Sequence, residues 1–320
     1  MVDLCREEEM LPLVSVIMPA YNAEKYIGSA IESILNQTYA RLELVIVEDC
    51  STDNTLEIIC RYADGRIKLL QNDVNKGIAY STNRGINFSQ GKYIALMDDD
   101  DIAALDRLKF QVDYLEKHDE IDILGGRSIE IDSEGNIIRR GGIPRYNPKY
   151  IKTVLLFRCV DFVNGTAMIR RKFIDENHLV YQEDCYGMQD YKFYIDSSKV
   201  GNISTIENIL LYYRVHEGNE TKRRKQEYGE QRKQKYAQFQ RESLKLSGYS
   251  LDEEKMGIIN KVLAEGDGGS QDKEELCKLY EVFCEILRQA RMMHVDYYIE
   301  LEHYCKLTLS NQIKKLITFD

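Results

Sequence analysis

The sequence predicts an α/β domain around a mainly parallel sheet, followed by a helical C-terminal extension, and three observations carry that reading. Between residues 14 and 97, short β-branched and aliphatic runs alternate with longer amphipathic ones, the pattern of strand–helix units assembled into a parallel sheet. Beyond residue 217, Lys, Arg, Gln and Glu dominate and apolar residues recur at helical spacing, as on surface helices. The chain has 320 residues, 43% of them hydrophobic and 10% aromatic, enough for a sizeable core, which excludes intrinsic disorder.

Taken in order, residues 1–12 read as an N-terminal arm in which Glu7, Glu8 and Glu9 stand where a signal sequence would have an apolar core. Strands are expected at 14–18, 43–47, 67–70 and 93–97, with helices at 24–36, 54–62 and 78–88 between them. From 119 to 214 the pattern is less regular. Gly125-Gly126 and Gly141-Gly142 read as turns, and 162–169 and 209–214 as strands. This completes a domain over residues 13–219.

Residues 220–320 form the extension, interrupted by Gly266-Asp267-Gly268-Gly269-Ser270, a flexible break by composition. Leu276, Leu279, Tyr280, Phe283, Leu287 and Ala290 share one helix face. A second stripe runs through Leu301, Tyr304, Leu309, Ile313, Leu316 and Ile317. Such faces suit packing on the domain or a homo-oligomer contact, with peripheral membrane contact as the alternative. There is no internal repeat.

A formal net charge of -10 argues against a nucleic-acid partner, which would require clustered cations over a broad face. The run Lys222-Arg223-Arg224-Lys225 reads as a solvated helix surface, with a lipid or glycan contact as the alternative. No segment approaches the roughly 20 apolar residues of a transmembrane helix. A cytoplasmic protein is therefore expected, with any peripheral contact at the inner face of the membrane. Eight cysteines without a CxxC pair read as reduced, mostly buried thiols.

In parallel sheets ligands collect at the carboxyl ends of the strands. That rule selects Pro19-Ala20-Tyr21-Asn22, Glu48-Asp49, and the four aspartates Asp98, Asp99, Asp100 and Asp101. A hard cation such as Mg2+ or Mn2+ prefers carboxylate oxygens and takes one or two from protein, leaving the rest of its shell to phosphate and water. If strand geometry persists, Asp98 and Asp100 face the ligand and Asp99 faces away. The alternative is an acidic loop capping a helix that starts near Ala104, through Asp101 or Asp106. Four adjacent carboxylates repel unless a cation compensates them, which favours a metal site.

Four ordered motifs resemble one family. They are Val14-Ser15-Val16-Ile17-Met18-Pro19-Ala20-Tyr21-Asn22, Val45-Ile46-Val47-Glu48-Asp49-Cys50-Ser51-Thr52-Asp53, Asn75-Lys76-Gly77, and Gly91 through the aspartates. Together they are similar to the inverting family 2 glycosyltransferases of GT-A fold, a Rossmann-like mixed sheet flanked by helices. The resemblance covers about residues 13–219. It implies that Pro19, Tyr21, Asn22 and Asp49 hold the nucleoside, Asp49 by accepting a hydrogen bond from the base. It further implies that Asp98-x-Asp100 is the DxD motif, with Asp100 the preferred metal ligand and Asp98 its partner toward the sugar donor, which leaves Asp99 as a helper and Asp101 as a helix-start residue, and that Lys76 approaches the diphosphate. Without it, Pro19 is a strand terminator, Tyr21 a core aromatic, Asp49 a turn residue and Lys76 a solvated cation.

The segment Gly187-Met188-Gln189-Asp190-Tyr191 resembles the family's Glu-Asp motif and nominates Asp190 as the base, although Gln189 replaces the usual Glu. Asp184 and Glu183 are runners-up, and a helix cap is the plainer role for Asp190. By the same resemblance Arg214 and His216 face the diphosphate, His216 completing the metal shell, and Asn164-Gly165-Thr166-Ala167-Met168 lies on the acceptor side; the alternatives are a structural histidine and a simple strand break. The implied activity is transfer of a hexosyl or related group from a nucleotide-sugar, by default a UDP-sugar, with inversion. The acceptor is a glycan or lipid-linked saccharide of bacterial cell-surface polysaccharide synthesis. Rival readings are a catalytically inactive nucleotide-sugar-binding module and a sugar nucleotidyltransferase, whose glycine-rich N-terminal loop is missing. The G-x-G-x-x-G of a dehydrogenase and the G-x-x-x-x-G-K-[ST] of a P-loop enzyme are also missing.

Overall fold

The computed structural model of the protein describes residues 11–140, 146–264 and 272–318. The Gly141-Gly142 turn, the break at residues 266–270 and all but the end of the N-terminal arm lie outside the described residues. The strands are β1 (Val14–Ala20), β2 (Leu42–Glu48), β3 (Ile67–Gln71), β4 (Tyr93–Leu96), β5 (Ile102–Ala103), β6 (Ile123–Ile131), β7 (Ile137–Arg140), β8 (Met168–Arg170) and β9 (Ile203–Arg214). Helices α1 (Ile27–Leu35), α2 (Thr55–Cys60), α3 (Ile78–Phe88), α4 (Arg107–Leu115), α5 (Pro148–Leu155) and α6 (Arg171–Asn177) come from the first half of the chain. They are followed by α7 (Gln189–Val200), α8 (Glu220–Glu227), α9 (Gly229–Leu246), α10 (Glu253–Val262), α11 (Lys273–Met292) and α12 (Tyr298–Thr318).

Two compact units divide the chain. The first comprises residues 1–146, 161–184 and 201–219; the second comprises 147–160, 185–200 and 220–320. The expected division at residue 219 is thus one of several crossings. The reason is visible inside the second unit. The apolar faces of α10 to α12 need cover, and Val154, Leu156 and Phe157 at the end of α5 supply part of it.

In the first unit the strands form one sheet of order β3-β2-β1-β4-β8-β6-β9-β5, with β7 paired to β6. β3, β2, β1 and β4 run parallel, so their carboxyl ends share an edge. β1 and β2 are mainly apolar because they lie in the middle of the sheet, with Val16, Met18, Leu44 and Ile46 fully buried against Ile27, Ile31 and Ile34 of α1. Pro19 sits inside β1, where a missing N–H would ordinarily break the ladder. Ile17 accepts from Met97 N on the β4 side and Ala20 accepts from Asp49 N on the β2 side. Pro19 therefore faces β4, whose ladder with β1 ends at Leu96.

Three expectations need correction. Gly125 and Gly126 lie within β6, not in a turn. A Cβ on Gly125 would stand 2.6 Å from the Phe162 ring, and one on Gly126 would strike Leu210, so these glycines admit neighbouring side chains. The strand expected at 162–169 is reduced to β8, preceded by a 3-10 turn at Asn164–Thr166. Finally, the thiols are not mostly buried. Among the described cysteines Cys185 and Cys305 are buried, whereas Cys60, Cys277 and Cys284 are exposed, and all are free.

In the second unit Phe157 stacks on Tyr304, with centroids 5.1 Å apart, and meets Phe283 edge-on. Leu276, Leu279, Phe283 and Ala290 of the first expected stripe are buried, while Tyr280 is exposed. In the second stripe Leu301 and Tyr304 are buried, but Ile313 and Ile317 point outward. Arg223 and Arg224 of the basic run pair with Glu220 one turn away; the side chains of Lys222 and Lys225 are not among those described. No helix among the described residues is long and apolar enough to cross a membrane.

Candidate active site

The loops that leave β1, β2 and β4 are tied to one another at the shared strand edge. Tyr21 N donates to Asp99 Oδ2 at 2.9 Å. Asn22, in the left-handed region at φ 53°, accepts from Thr52 N at 2.8 Å and so fastens the first loop to the second. Glu48 Oε1 accepts from Ser51 N at 2.6 Å, and Cys50 turns the chain through φ 59°. A left-handed cysteine is strained backbone that its surroundings must enforce.

Asp49 is buried, and its carboxylate is occupied within the protein. Oδ1 accepts from Asn72 Nδ2 at 2.5 Å and Lys76 N at 2.9 Å, and Oδ2 from Gly77 N at 2.7 Å. Gly77 has φ 87°, a value that glycine adopts without penalty, and it opens α3. Asp49 therefore shapes the Lys76-Gly77 loop. The Lys76 side chain is exposed and approaches the Tyr80 ring.

The aspartates do not continue the strand. β4 ends at Leu96 and the chain turns at residues 99–100, which relaxes the alternation expected for Asp98 and Asp100. Asp99 is not turned away but holds Tyr21. Asp101 is fully buried, not a helix-start residue. α4 begins at Arg107, and Asp106 at its N-cap accepts from Thr38 Oγ1. What holds Asp101 is β9. Pairing of Ile102 with Tyr212 and Ala103 with Leu211 brings Arg214 N to Asp101 Oδ1 at 2.8 Å.

Asp100 Oδ2 receives His216 Nε2 at 2.8 Å and Asn219 Nδ2 at 3.1 Å. Arg214 does not turn to a diphosphate as expected: its Nε donates to Asp100 O at 2.8 Å and its Nη1 to the carbonyls of Asp132 and Ser133. It stacks over Tyr26, which also packs against His216. Arg214 thus braces the aspartate loop from behind. Gly165 packs on the opposite side: a Cβ there would stand 3.2 Å from Asp98 Oδ2 and 3.5 Å from Asp101 Oδ2.

Sequence reasoning missed Arg107. It is fully buried, donates through Nη2 to Leu96 O at 2.7 Å, and is held by Gln111. Burial lowers its pKa to about 10, opposed by the charges of Asp101 and Asp98. Its signal was present: Arg107 and Gln111 fall on the stripe of Leu108, Val112 and Leu115 that α4 buries, and a charge on an apolar face calls for a buried partner.

The carboxyls of Asp99 and Asp101 are pushed well above the usual range, by burial first and by the charge of Asp100 next. Asp101 Oδ2 is buried without a hydrogen-bond partner among the described residues. An oxygen-rich, mutually repelling set of this kind fits a hard divalent cation. Among the described residues no three acidic, His or Cys side chains converge to hold a metal unaided, so Asp98 and Asp100 would share it with ligand oxygens. His216 fits less well. Its Nδ1 accepts from Gly218 N at 3.1 Å, which places the ring proton on Nε2, facing Asp100.

Asp190 belongs to the second unit. It lies in the first turn of α7 and its Oδ1 accepts from Tyr191 N at 2.8 Å. It forms part of the wall of a cavity of about 610 Å³. Glu183 and Asp184, the runners-up, are exposed and belong to the first unit.

A sequence profile of glycosyl transferase family 2 matches residues 15–177. The chain belongs to this family. An uncharacterized glycosyltransferase of Haemophilus influenzae is 38% identical over 223 residues, 67% of this chain and 68% of that protein. The UDP-Glc:alpha-D-GlcNAc-diphosphoundecaprenol beta-1,3-glucosyltransferase WfgD of Escherichia coli is 34% identical, over 61% of this chain and 73% of its own length. Chondroitin synthase of Escherichia coli is 34% identical over 66% of this chain but 30% of its own length. In structure the chain matches S. aureus TarS 1-349 in complex with UDP-GlcNAc, with a TM-score of 0.61 at 18% identity, over 96% of this chain and 91% of that one. The family 2 glycosyltransferase thus has the GT-A fold, with its C-terminal helices included in the match.

Proposed function

We propose that this glycosyltransferase moves a sugar, with inversion, from a UDP-sugar to a hydroxyl of a growing bacterial polysaccharide or lipid-linked glycan, assisted by Mn2+ or Mg2+. The observation that carries this reading is the aspartate loop: four carboxylates at the strand edge, two with raised pKa and one oxygen unpartnered among the described residues. The activity named for WfgD and the UDP-GlcNAc in the TarS crystal support the choice of donor.

Asp98 and Asp100 would hold the cation, which when bound supplies positive charge against the leaving diphosphate. The loops fastened by Asp49 and Asn22 bind the nucleoside, and Lys76 lies on the loop that Asp49 shapes. Asp190 takes the proton of the acceptor hydroxyl as its oxygen bonds to the anomeric carbon. The bond from that carbon to the diphosphate oxygen breaks, and its electron pair leaves with the diphosphate. No covalent enzyme intermediate is required. The reaction belongs in the cytoplasm, at the inner face of the membrane. The deciding experiment is a thermal-shift screen of nucleotide-sugars with and without Mn2+, in which a UDP-sugar is expected to stabilise the protein. Silence from every nucleotide-sugar tested would sink the reading.

A further inference from the structure

We propose that the cavity of the second unit recognises the acceptor through an anionic group, a phosphate or a carboxylate carried by a glycan. The proposal rests on Asp190 acting as the base, since Asp190 is on the cavity wall. At about 610 Å³ the cavity has the size of a small-molecule site, and all its described lining residues belong to one unit.

Its charge runs against that of the whole chain. Arg158, Arg232 and Lys315 stand on the wall, and Asp190 is the one acid among the described lining residues, in a protein of net charge -10. Arg232 is fixed by donation from Nη1 to Tyr186 O at 2.6 Å, so its guanidinium is preorganised. Guanidinium and ammonium groups select phosphate and carboxylate. Tyr191, Tyr236 and Tyr304 supply the aromatic part of the wall. A neutral acceptor would use the rings and gain nothing from the cations.

The test is calorimetric titration of the full chain with three probes: chondroitin hexasaccharide, a short-chain polyprenyl-diphosphate GlcNAc, and neutral chitohexaose. One anionic probe is expected to bind at least about tenfold more tightly than chitohexaose. Which one does so tells whether the anion is a uronate carboxylate or a lipid diphosphate. Lys315→Glu, at an exposed position, should abolish that preference by charge reversal. UDP affinity should be unchanged in this variant. Equal binding of the three probes, no binding of either anionic probe, or a preference that survives Lys315→Glu overturns the proposal. Failure of UDP and UDP-sugars to bind while the anionic preference persists would instead overturn the transfer reading and leave the cavity's selectivity standing.

Discussion

His216 Nε2 lies 2.8 Å from Asp100 Oδ2 while Gly218 N donates to the other ring nitrogen, so the imidazole aims Nε2 at the carboxylate as a donor. A metal-bound imidazole normally donates through its second nitrogen, and here that nitrogen faces an N–H.

The first prediction separates ligand from donor. His216→Gln can keep a donor toward Asp100, whereas His216→Ala cannot. If His216 orients Asp100, the Gln variant keeps most of the Mn2+-dependent transfer. The Ala variant loses about 10–100-fold, the usual effect of removing a partner that orients a ligand. Equal losses in Mn2+ titrations of the two variants would restore His216 as a ligand.

The aspartates should also divide. Asp100→Ala removes a carboxylate at the open side of the loop, so transfer should fall by about two orders of magnitude or more, since bound cations supply several kcal/mol. The melting temperature should barely move. Asp101→Ala leaves the buried Arg214 N–H without its acceptor and Arg107 without one of its nearby charges. It should cost about 1–3 kcal/mol in denaturant unfolding. Matching profiles for the two variants would show the division to be wrong.

Gly165 tests how tightly the loop is packed. In Gly165→Ala the new Cβ meets Asp98 Oδ2 and Leu211 Cδ2, both at 3.2 Å, so a carboxylate must give way by a few tenths of an ångström. Turnover is expected to drop about tenfold, as small misplacements of reacting groups do, with UDP affinity little changed. Wild-type turnover in this variant would mean that the position of Asp98 is not critical.

The parallel half of the sheet was legible because β1, β2 and β4 are apolar runs that end in polar residues, and burial on both faces demands that pattern. The strand ends then led to Tyr21, Asp49 and the aspartates. What could not be read was tertiary. Nothing local says that Asp101 will be fastened by the N–H of Arg214, 113 residues away, or that Arg214 will spend its guanidinium on carbonyls. Gly125-Gly126 looks like a turn because the Phe162 and Leu210 side chains that need the space come from distant parts of the chain. The second unit is interleaved for the same reason: the stripe on α11 shows that a partner surface exists, but not that Phe157 provides part of it.

The last prediction concerns pH and Lys199, which donates to Ser247 Oγ at 2.6 Å. Burial, and then the charge of Lys152, lowers its pKa to about 8, with Asp196 opposing. Between about 8 and the ordinary 10.5 the unfolded chain keeps a proton that the folded chain has released, so the Lys199 contribution to stability rises with pH. Below about 8 both states are charged and the full desolvation penalty is felt. Lys199→Met removes that penalty, on the order of a few kcal/mol for a pKa depressed this far, at the expense of a hydrogen bond worth about 1 kcal/mol. The variant should therefore be the more stable protein at pH 7, and its advantage should shrink steadily from pH 8 to 10. Tyrosine ionisation occurs in both proteins and cancels in the difference. A stability difference that stays constant across that range in paired urea melts would show that Lys199 keeps an ordinary pKa.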